Sequence, residues 1–324
     1  MLITNQSNIN LPIAVWLIHD EYDYVDKPNY ISVTTLMRPL KQIILAQRIP
    51  AEERIADVSE FISRALGHST HSAIENAWKS GHKRALKLLG IPEAVIDRVA
   101  VNPGDNYLAE HPDCIAVYME QRAFREVSLN GTTYTIGGKF DFVAEGMVQD
   151  FKSTSAFSWL FGTRDDDHSL QGSAYRWLNP DKITEGVICI NYIFTDWSKM
   201  QARTNPKYPQ QRVEKKFVPL KSVEETDTWV KNKLTLIQRY LNSPEEEMPE
   251  CSDEDLWRSD PAFKYYANPE KIQGRSTKNF TSLAEANAFK AEKGVGVVIT
   301  VPGEVKACAY CPAFNGCKQK DKYL

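Results

Sequence analysis

The chemistry in this chain is concentrated where Gly138-Lys139-Phe140-Asp141 is followed, nine residues on from Asp141, by Asp150-Phe151-Lys152. Both stretches lie in β-rich text. On a strand, residues i and i+2 point to the same face, so Asp150 and Lys152 project together, and pairing of the two strands brings Asp141 alongside. Two convergent carboxylates with a peptide carbonyl, here that of Phe151, form an oxygen-rich site suited to Mg²⁺ or Mn²⁺. Such an ion polarises a phosphate and stabilises charge on attacking and leaving oxygens, while a lysine beside it holds or activates a water. Asp-x-Lys alone is a weak motif; the competing reading is a set of solvated strand residues.

Three successive strands must carry these groups. The runs AVYMEQRAFREVSL and TTYTIGGKFDFVAE flank Asn130-Gly131 and read as a β-hairpin, because Asn-Gly takes the left-handed backbone of a tight hairpin turn. Gly146 turns the chain again into MVQDFKST. Upstream, apolar spacing predicts a helix over Thr35–Arg48, with Thr34 or Thr35 as N-cap, Pro39 tolerated near the first turn, and Pro50 ending it. A longer helix is expected from Val58 to Lys79, stopped by Gly81. Downstream come a helix over Ser169–Leu178, an apolar strand over Gly186–Trp197, a polar basic loop over Ser198–Arg212, a strand VEKKFVPL and an amphipathic helix over Val223–Leu241. The text before Tyr30 specifies no firm element.

These motifs form an ordered series. Gly67, His71 and Glu75 follow a Gly-x-x-x-His-x-x-x-Glu pattern; Glu120 or Glu126 precedes the first acidic strand; Gly138–Asp141 follows Gly-x-x-Asp; Asp150–Lys152 follows Asp/Glu-x-Lys; and Gln171–Tyr175 follows Gln-x-x-x-Tyr. The series resembles the PD-(D/E)XK nucleases of the RecB-like branch, which includes phage exonucleases similar to lambda exonuclease and the CRISPR-associated adaptation nucleases. It covers about a third of the chain, from Gly67 to Tyr175.

The resemblance implies an α/β, restriction-endonuclease-like fold, with a mixed central sheet flanked by helices. It implies Mg²⁺- or Mn²⁺-dependent DNA hydrolysis, most concretely by an exonuclease processing ends in phage replication or recombination. An endonuclease of the same fold and a non-catalytic DNA-binding or assembly module are the alternatives. The implied catalytic residues are Asp141, Asp150, Lys152, Gln171 and Tyr175, and the implied metal ligands are His71, Asp141, Asp150 and the Phe151 carbonyl. Each has a bland counterpart: His71 hydrogen-bonded to Glu75, and Gln171 and Tyr175 packing a helix rather than orienting Lys152 or touching a phosphate. His68 is a weaker ligand candidate, and the choice between Glu120 and Glu126 stays open.

Six cysteines in a chain of 324 residues are too few for a disulfide framework. Cys308, Cys311 and Cys317 are spaced by two and then five residues, and with Cys251 they make a four-thiolate set that suits Zn²⁺ or an iron–sulfur cluster. The spacing resembles the C-terminal iron–sulfur staple of RecB-like nucleases, which implies a 4Fe-4S cluster. There, however, the remaining cysteine precedes the nuclease motifs, and here no cysteine precedes Cys114. The expected organisation is a nuclease core over residues 1–245, with a helical N-terminal part, and a polar, weakly periodic, metal-clamped extension over 246–324 packed on it.

Lys plus Arg is 39 and Asp plus Glu is 42, a net charge of −3, which excludes binding of DNA by bulk charge. Local patches must serve: Lys41 and Arg48 on the early helix, and Lys199, Arg203, Lys207 and Arg212 beside Tyr208, a mixture suited to phosphate contact and base stacking. DNA with a free end or single-stranded part is the expected partner, together with replication or recombination proteins. Phe157, Trp159 and Phe161 read either as a wedge against a strand end or as core, and Asp165–Asp167 as a solvated turn. No apolar run approaches the roughly 20 residues of a membrane span, and Leu11–Ile18 lacks a basic segment before it, so a soluble cytoplasmic protein is expected.

Overall fold

The structure is a computed structural model that describes residues 2–20, 23–161 and 164–324. The chain divides into two compact units, Met1–Arg38 with Glu52–Leu236, and Pro39–Ala51 with Ile237–Leu324. The division expected at residue 245 therefore falls earlier, and an N-terminal segment joins the C-terminal unit. The strands are β1 (Leu2–Thr4), β2 (Tyr30–Ser32), β3 (Ile55–Asp57), β4 (Val99–Val101), β5 (Ile115–Leu129), β6 (Thr132–Ala144), β7 (Met147–Thr154), β8 (Val187–Phe194), β9 (Val213–Pro219), β10 (Ala262–Tyr266), β11 (Lys278–Phe280) and β12 (Val297–Val301). The helices are α1 (Leu11–Ile18), α2 (Val33–Leu36), α3 (Leu40–Arg48), α4 (Ile62–Leu88), α5 (Glu93–Ile96), α6 (Asp105–Glu110), α7 (Ala156–Leu160), α8 (Asp165–Leu178), α9 (Lys199–Thr204), α10 (Val223–Tyr240) and α11 (Leu283–Lys293). None is long and apolar enough to cross a membrane.

The first unit is mixed α/β. Its sheet runs β4-β5-β6-β7-β8-β9, with β2 also paired to β6. The hairpin read from Asn130-Gly131 forms, with φ of 48° and 79° at those residues, and Glu145-Gly146 makes a second left-handed turn into β7. Beyond β7 the sheet becomes parallel to β8, then antiparallel to β9. On one face α4 lays Ile74 and Trp78 against Val117, Met119, Phe142 and Phe151. On the other, α8 comes in close because two glycines allow it. A Cβ on Gly138 would stand 3.0 Å from Leu178 and 3.2 Å from Tyr175, and one on Gly172 would stand 2.7 Å from Leu220 and 3.0 Å from the Ile188 Cβ.

Gly172→Ala sets a helix-propensity gain of about 1 kcal/mol against overpacking of roughly 1–3 kcal/mol at a β-branched residue on a central strand. The packing loss wins. A lowered urea midpoint with unchanged slope is the expected result, and an unchanged or raised midpoint contradicts this close approach.

Several elements differ from the sequence expectation. The helix over 35–48 is two helices broken at Pro39, whose ψ of 140° is extended, and Ser32 rather than Thr34 or Thr35 is the N-cap, accepting from the Thr35 N–H. Proline disfavours helical backbone in the residue before it, which outweighs the apolar spacing. The long helix passes through Gly81 and ends after Leu88, where Gly90 takes φ 78°. A 3-10 turn over Val58–Phe61, capped by a box of Asp57 and Glu60, leads into it. Ser7 and Ser59 donate to the Asp57 carboxylate and hold it well below its usual range. The acidic run Asp165–Asp167 is the first turn of α8, where the helix dipole favours it, not a loop. The basic loop after β8 contains α9.

In the second unit, β10 is flanked by β11 and β12, both antiparallel. Phe289 of α11 packs on Tyr265 and Phe280, with ring centroids 5.1 and 5.3 Å apart. The segment read as weakly periodic thus holds a small sheet and helix of its own. Lys41 of α3 is buried, 3.7 Å from a Glu245 carboxylate that also accepts the Lys318 and Gln319 backbone N–H groups. Arg48 donates to the Leu241 and Ser243 carbonyls just past α10.

Candidate active site

The site begins as a gap in the sheet. Along the edge of β6 away from β5, residues Thr135–Gly137 pair with β2 and Phe142–Ala144 pair with β7. Between them, Gly138–Asp141 have no strand partner on that edge among the described residues. The register of β6 and β7 would set Asp141 opposite Asp150, but the ladder ends before that pair. The Phe151 N–H donates instead to Asp141 Oδ2, at 3.2 Å. The Asp141 side chain thus replaces a backbone acceptor, and its other oxygen is left facing the gap.

Into this gap α4 delivers His71. Its Nδ1 lies 3.4 Å from Asp141 Oδ1, and its Nε2 lies 2.9 Å from the Phe151 carbonyl oxygen. Burial alone would lower the His71 pKa. The Asp141 carboxylate, the Phe151 carbonyl and the more distant Asp150 overcome that and raise it to about 9. Ligation of an ion requires this ring to give up its Nδ1 proton. The bland pairing of His71 with Glu75 does not form; Glu75 is bridged to Lys79 at 2.5 Å.

Glu120, not Glu126, joins the group. Ligand atoms of His71, Glu120 and Asp141 all lie within 4.8 Å of one another. Glu120 falls between the Met119–Phe142 and Gln121–Phe140 pairs of the β5–β6 ladder, which skips it, and has φ 50°, a conformation uncommon for a non-glycine residue and costly in mid-strand. The in–out alternation of β5 breaks there: Tyr118 and Gln121, three apart, both meet Lys182. This backbone switch is what separates Glu120 from Glu126, and side-chain periodicity carries no trace of it. Lys139 bridges to Glu120 at 2.5 Å.

Asp150 and Lys152 do project together. Lys152 Nζ is 2.7 Å from Asp150 Oδ2. Asp150 is 2% exposed, and the Lys152 ammonium is the group that meets its Oδ2. Burial raises the Asp150 pKa, and the Asp141 charge adds to the rise against the pull of Lys152. A buried carboxylate beside three ligand-spaced groups fits a cation site. Asp150 lies outside the closest trio, and the Phe151 carbonyl is engaged with His71. The set read from sequence therefore meets the structure at His71 and Asp141, with Glu120 in the third place.

These groups open onto two cavities. One, about 420 Å³, is lined by His71, Glu75, Glu120, Asp141 and Tyr175 among others, with the exposed His68 at its wall. Gln171 donates to the Tyr175 hydroxyl at 3.0 Å, so that pair acts as one unit facing the Asp141 side. The other, about 450 Å³, is reached by Lys152.

The basic patches sort differently from expectation. Lys41 and Arg48 are engaged within the second unit, as described above. Tyr208 is 4% exposed, accepting from the Ser198 N–H and donating to the Asp196 carbonyl, so its ring is not a stacking surface. Lys199, Arg203, Lys207 and Arg212 are exposed.

Among the described residues no disulfide joins any of the six cysteines. In the second unit Cys251 packs on the cluster that buries Cys308, and Gln319 clamps Cys251 by accepting its N–H and donating to its carbonyl, both at 2.9 Å. Burial pushes the Cys251 thiol up to about 12, with Asp255, Cys317 and Cys311 adding to it. Burial likewise raises Cys308, helped by Cys311 and Cys317. Among the described residues no three thiols come within ligand spacing of a single ion.

No protein-family model matches the chain, and no curated protein matches it. Among solved structures, the crystal structure of SSO0001 aligns at 17% identity and a TM-score of 0.44, over 74% of this chain and 90% of that chain. An overlap this loose establishes neither a family nor an activity.

Proposed function

We propose that the chain is a Mg²⁺- or Mn²⁺-dependent deoxyribonuclease with a restriction-endonuclease-like core, acting on DNA ends. The observation that carries this reading is the trio of His71, Glu120 and Asp141 within 4.8 Å, one strand from a buried Asp150 paired with Lys152. When bound there, a divalent ion would supply positive charge against the non-bridging phosphate oxygens and would acidify a water beside it. Asp141 and Glu120 hold that position, with Asp150 behind them. The Lys152 ammonium, anchored by Asp150, orients an attacking water or neutralises the phosphate. The Gln171–Tyr175 pair meets the substrate backbone on the Asp141 side.

A cytoplasmic setting, in the host cell for a phage protein, and replication or recombination partners accompany this reading. The four cysteines offer a soft donor set, which we assign to a 4Fe-4S cluster ahead of Zn²⁺. The spacing of Cys308, Cys311 and Cys317 by two and then five residues is what supports that order.

The test incubates purified protein with linear and closed circular DNA under Mg²⁺, Mn²⁺ or chelator. Loss of linear DNA alone supports the exonuclease. Cutting of circles replaces it with an endonuclease, and no turnover under any metal leaves a DNA-binding module. Within the active enzyme, Glu120→Gln raises the Mn²⁺ concentration for half-maximal cleavage by roughly 10–100-fold, the scale of lost metal-site support. Glu126→Gln, exposed and outside the gap, leaves it unchanged; equal effects remove Glu120 from the site.

A further inference from the structure

The cavity of about 450 Å³ on the far side of Lys152 has no role in holding the ion. Three cations reach it: Lys152, Arg164 and Lys216. Lys216 is held by both oxygens of Asp165, at 2.7 and 2.6 Å, so its ammonium is fixed and not free-swinging. The opposite character comes from Trp159 and Tyr192, set edge to face at 5.5 Å and backed by Phe194. His168, almost fully buried, meets the Tyr192 hydroxyl at 3.2 Å, and burial together with the Lys152 charge holds it neutral, with a pKa of about 4. One wall thus carries Arg164 together with Lys216 and Lys152, whose partners Asp165 and Asp150 offset part of their charge, and the other offers a flat aromatic group, within a volume of nucleotide size.

The helix that supplies Trp159 also presents Phe157 outward. Phe157 and Phe161 are 65% and 62% exposed, with ring centroids 4.4 Å apart. Exposed aromatic pairs are poor solvent neighbours and good platforms for unstacked bases. A base still paired in a duplex cannot enter a cavity of this size.

We propose that this cavity is a subsite for one unpaired deoxynucleotide at a strand end, its phosphate toward Lys216 and Arg164 and its base against Trp159. The proposal rests on the nuclease reading for its place beside Lys152, but its binding test does not depend on cleavage.

Full-length protein in excess EDTA is titrated calorimetrically with thymidine 5′-monophosphate, thymidine 3′-monophosphate, thymidine and inorganic phosphate. The expected result is 1:1 binding of at least one monophosphate, with thymidine and phosphate weaker by about tenfold or more, since each keeps only one of the two contacts. Lys216→Gln and Trp159→Phe each weaken that binding, the first by about tenfold, in proteins whose thermal melts match the parent. In Mn²⁺, frayed-end duplexes are degraded faster than blunt ones, and Lys216→Gln narrows the difference. Binding of neither monophosphate, binding of phosphate as tightly as nucleotide, or binding unchanged by Lys216→Gln overturns the subsite. Normal nucleotide binding in a protein that cleaves no DNA sinks the nuclease reading and leaves the subsite standing.

Discussion

Under the proposed nuclease function, Asp150→Asn and Lys152→Ala are each expected to reduce DNA cleavage by on the order of 10²–10³-fold or more, the scale of removing one preorganised electrostatic group from a reacting centre. The two substitutions act through one contact, Lys152 Nζ at 2.7 Å from Asp150 Oδ2. Asparagine keeps the size of the buried side chain and removes the charge that holds the ammonium. Alanine at 152 leaves Asp150 as an unpaired buried carboxylate, which then protonates. Because the residues work as a unit, the double variant is little worse than either single one. Single-turnover cleavage of end-labelled DNA reads all three. Additive losses separate the two residues, and near-parent rates in either variant take them out of the chemistry. Circular dichroism melts accompany the assay, since Asp150 lies beneath α8 and a collapsed fold also stops cleavage.

Cys308→Ser and Cys251→Ser have the second large effect, and it is on folding. At the cysteine end of the second unit, Leu256, Val305 and Cys308 form one buried cluster. Metal binding by thiolates supplies apparent free energies of about 10–16 kcal/mol in small zinc domains, as much as the whole net stability of a typical domain, about 5–15 kcal/mol. Each serine variant is expected to lose metal and to become protease-sensitive over residues 237–324, with the first unit still resistant. Absorbance near roughly 400 nm in anaerobically purified parent protein identifies iron–sulfur chemistry. A colourless protein with stoichiometric zinc replaces the cluster by zinc, and a metal-free variant as protease-resistant as the parent removes the site. Gln319→Leu provides a graded control: it frees the Cys251 backbone but keeps all four thiols, so metal is retained and released faster.

Much of the first unit was legible because its signals are local. Asn130-Gly131 and Gly146 announce two tight turns, and the strands between them are long enough for a period of two to register. Asp150 and Lys152 share a face by that period alone. The rest depended on features that residue type does not encode. Glu120 was chosen over Glu126 by a left-handed backbone in mid-strand. Lys41 and Tyr208 have the types of a DNA-binding patch, but burial and tertiary hydrogen bonds use them up. The sheet of the second unit has strands of three to five residues, too short for periodicity to rise above composition. Gly81 has the type of a helix stop, yet the space around its Cβ position is open and the helix runs on. Phe157, Trp159 and Phe161 split as two exposed rings around one packed ring, which an alternating pattern alone could not divide.

The central claim is that His71, Glu120 and Asp141 gather one divalent ion. Electron paramagnetic resonance of free Mn²⁺, titrated into metal-stripped protein without DNA, measures it directly. Saturable Mn²⁺ uptake by the parent chain is expected, weakened by roughly 10–100-fold in Asp141→Asn, a variant that still offers the Phe151 N–H an acceptor. Uptake by Asp141→Asn equal to that of the parent, or no uptake by either, contradicts it.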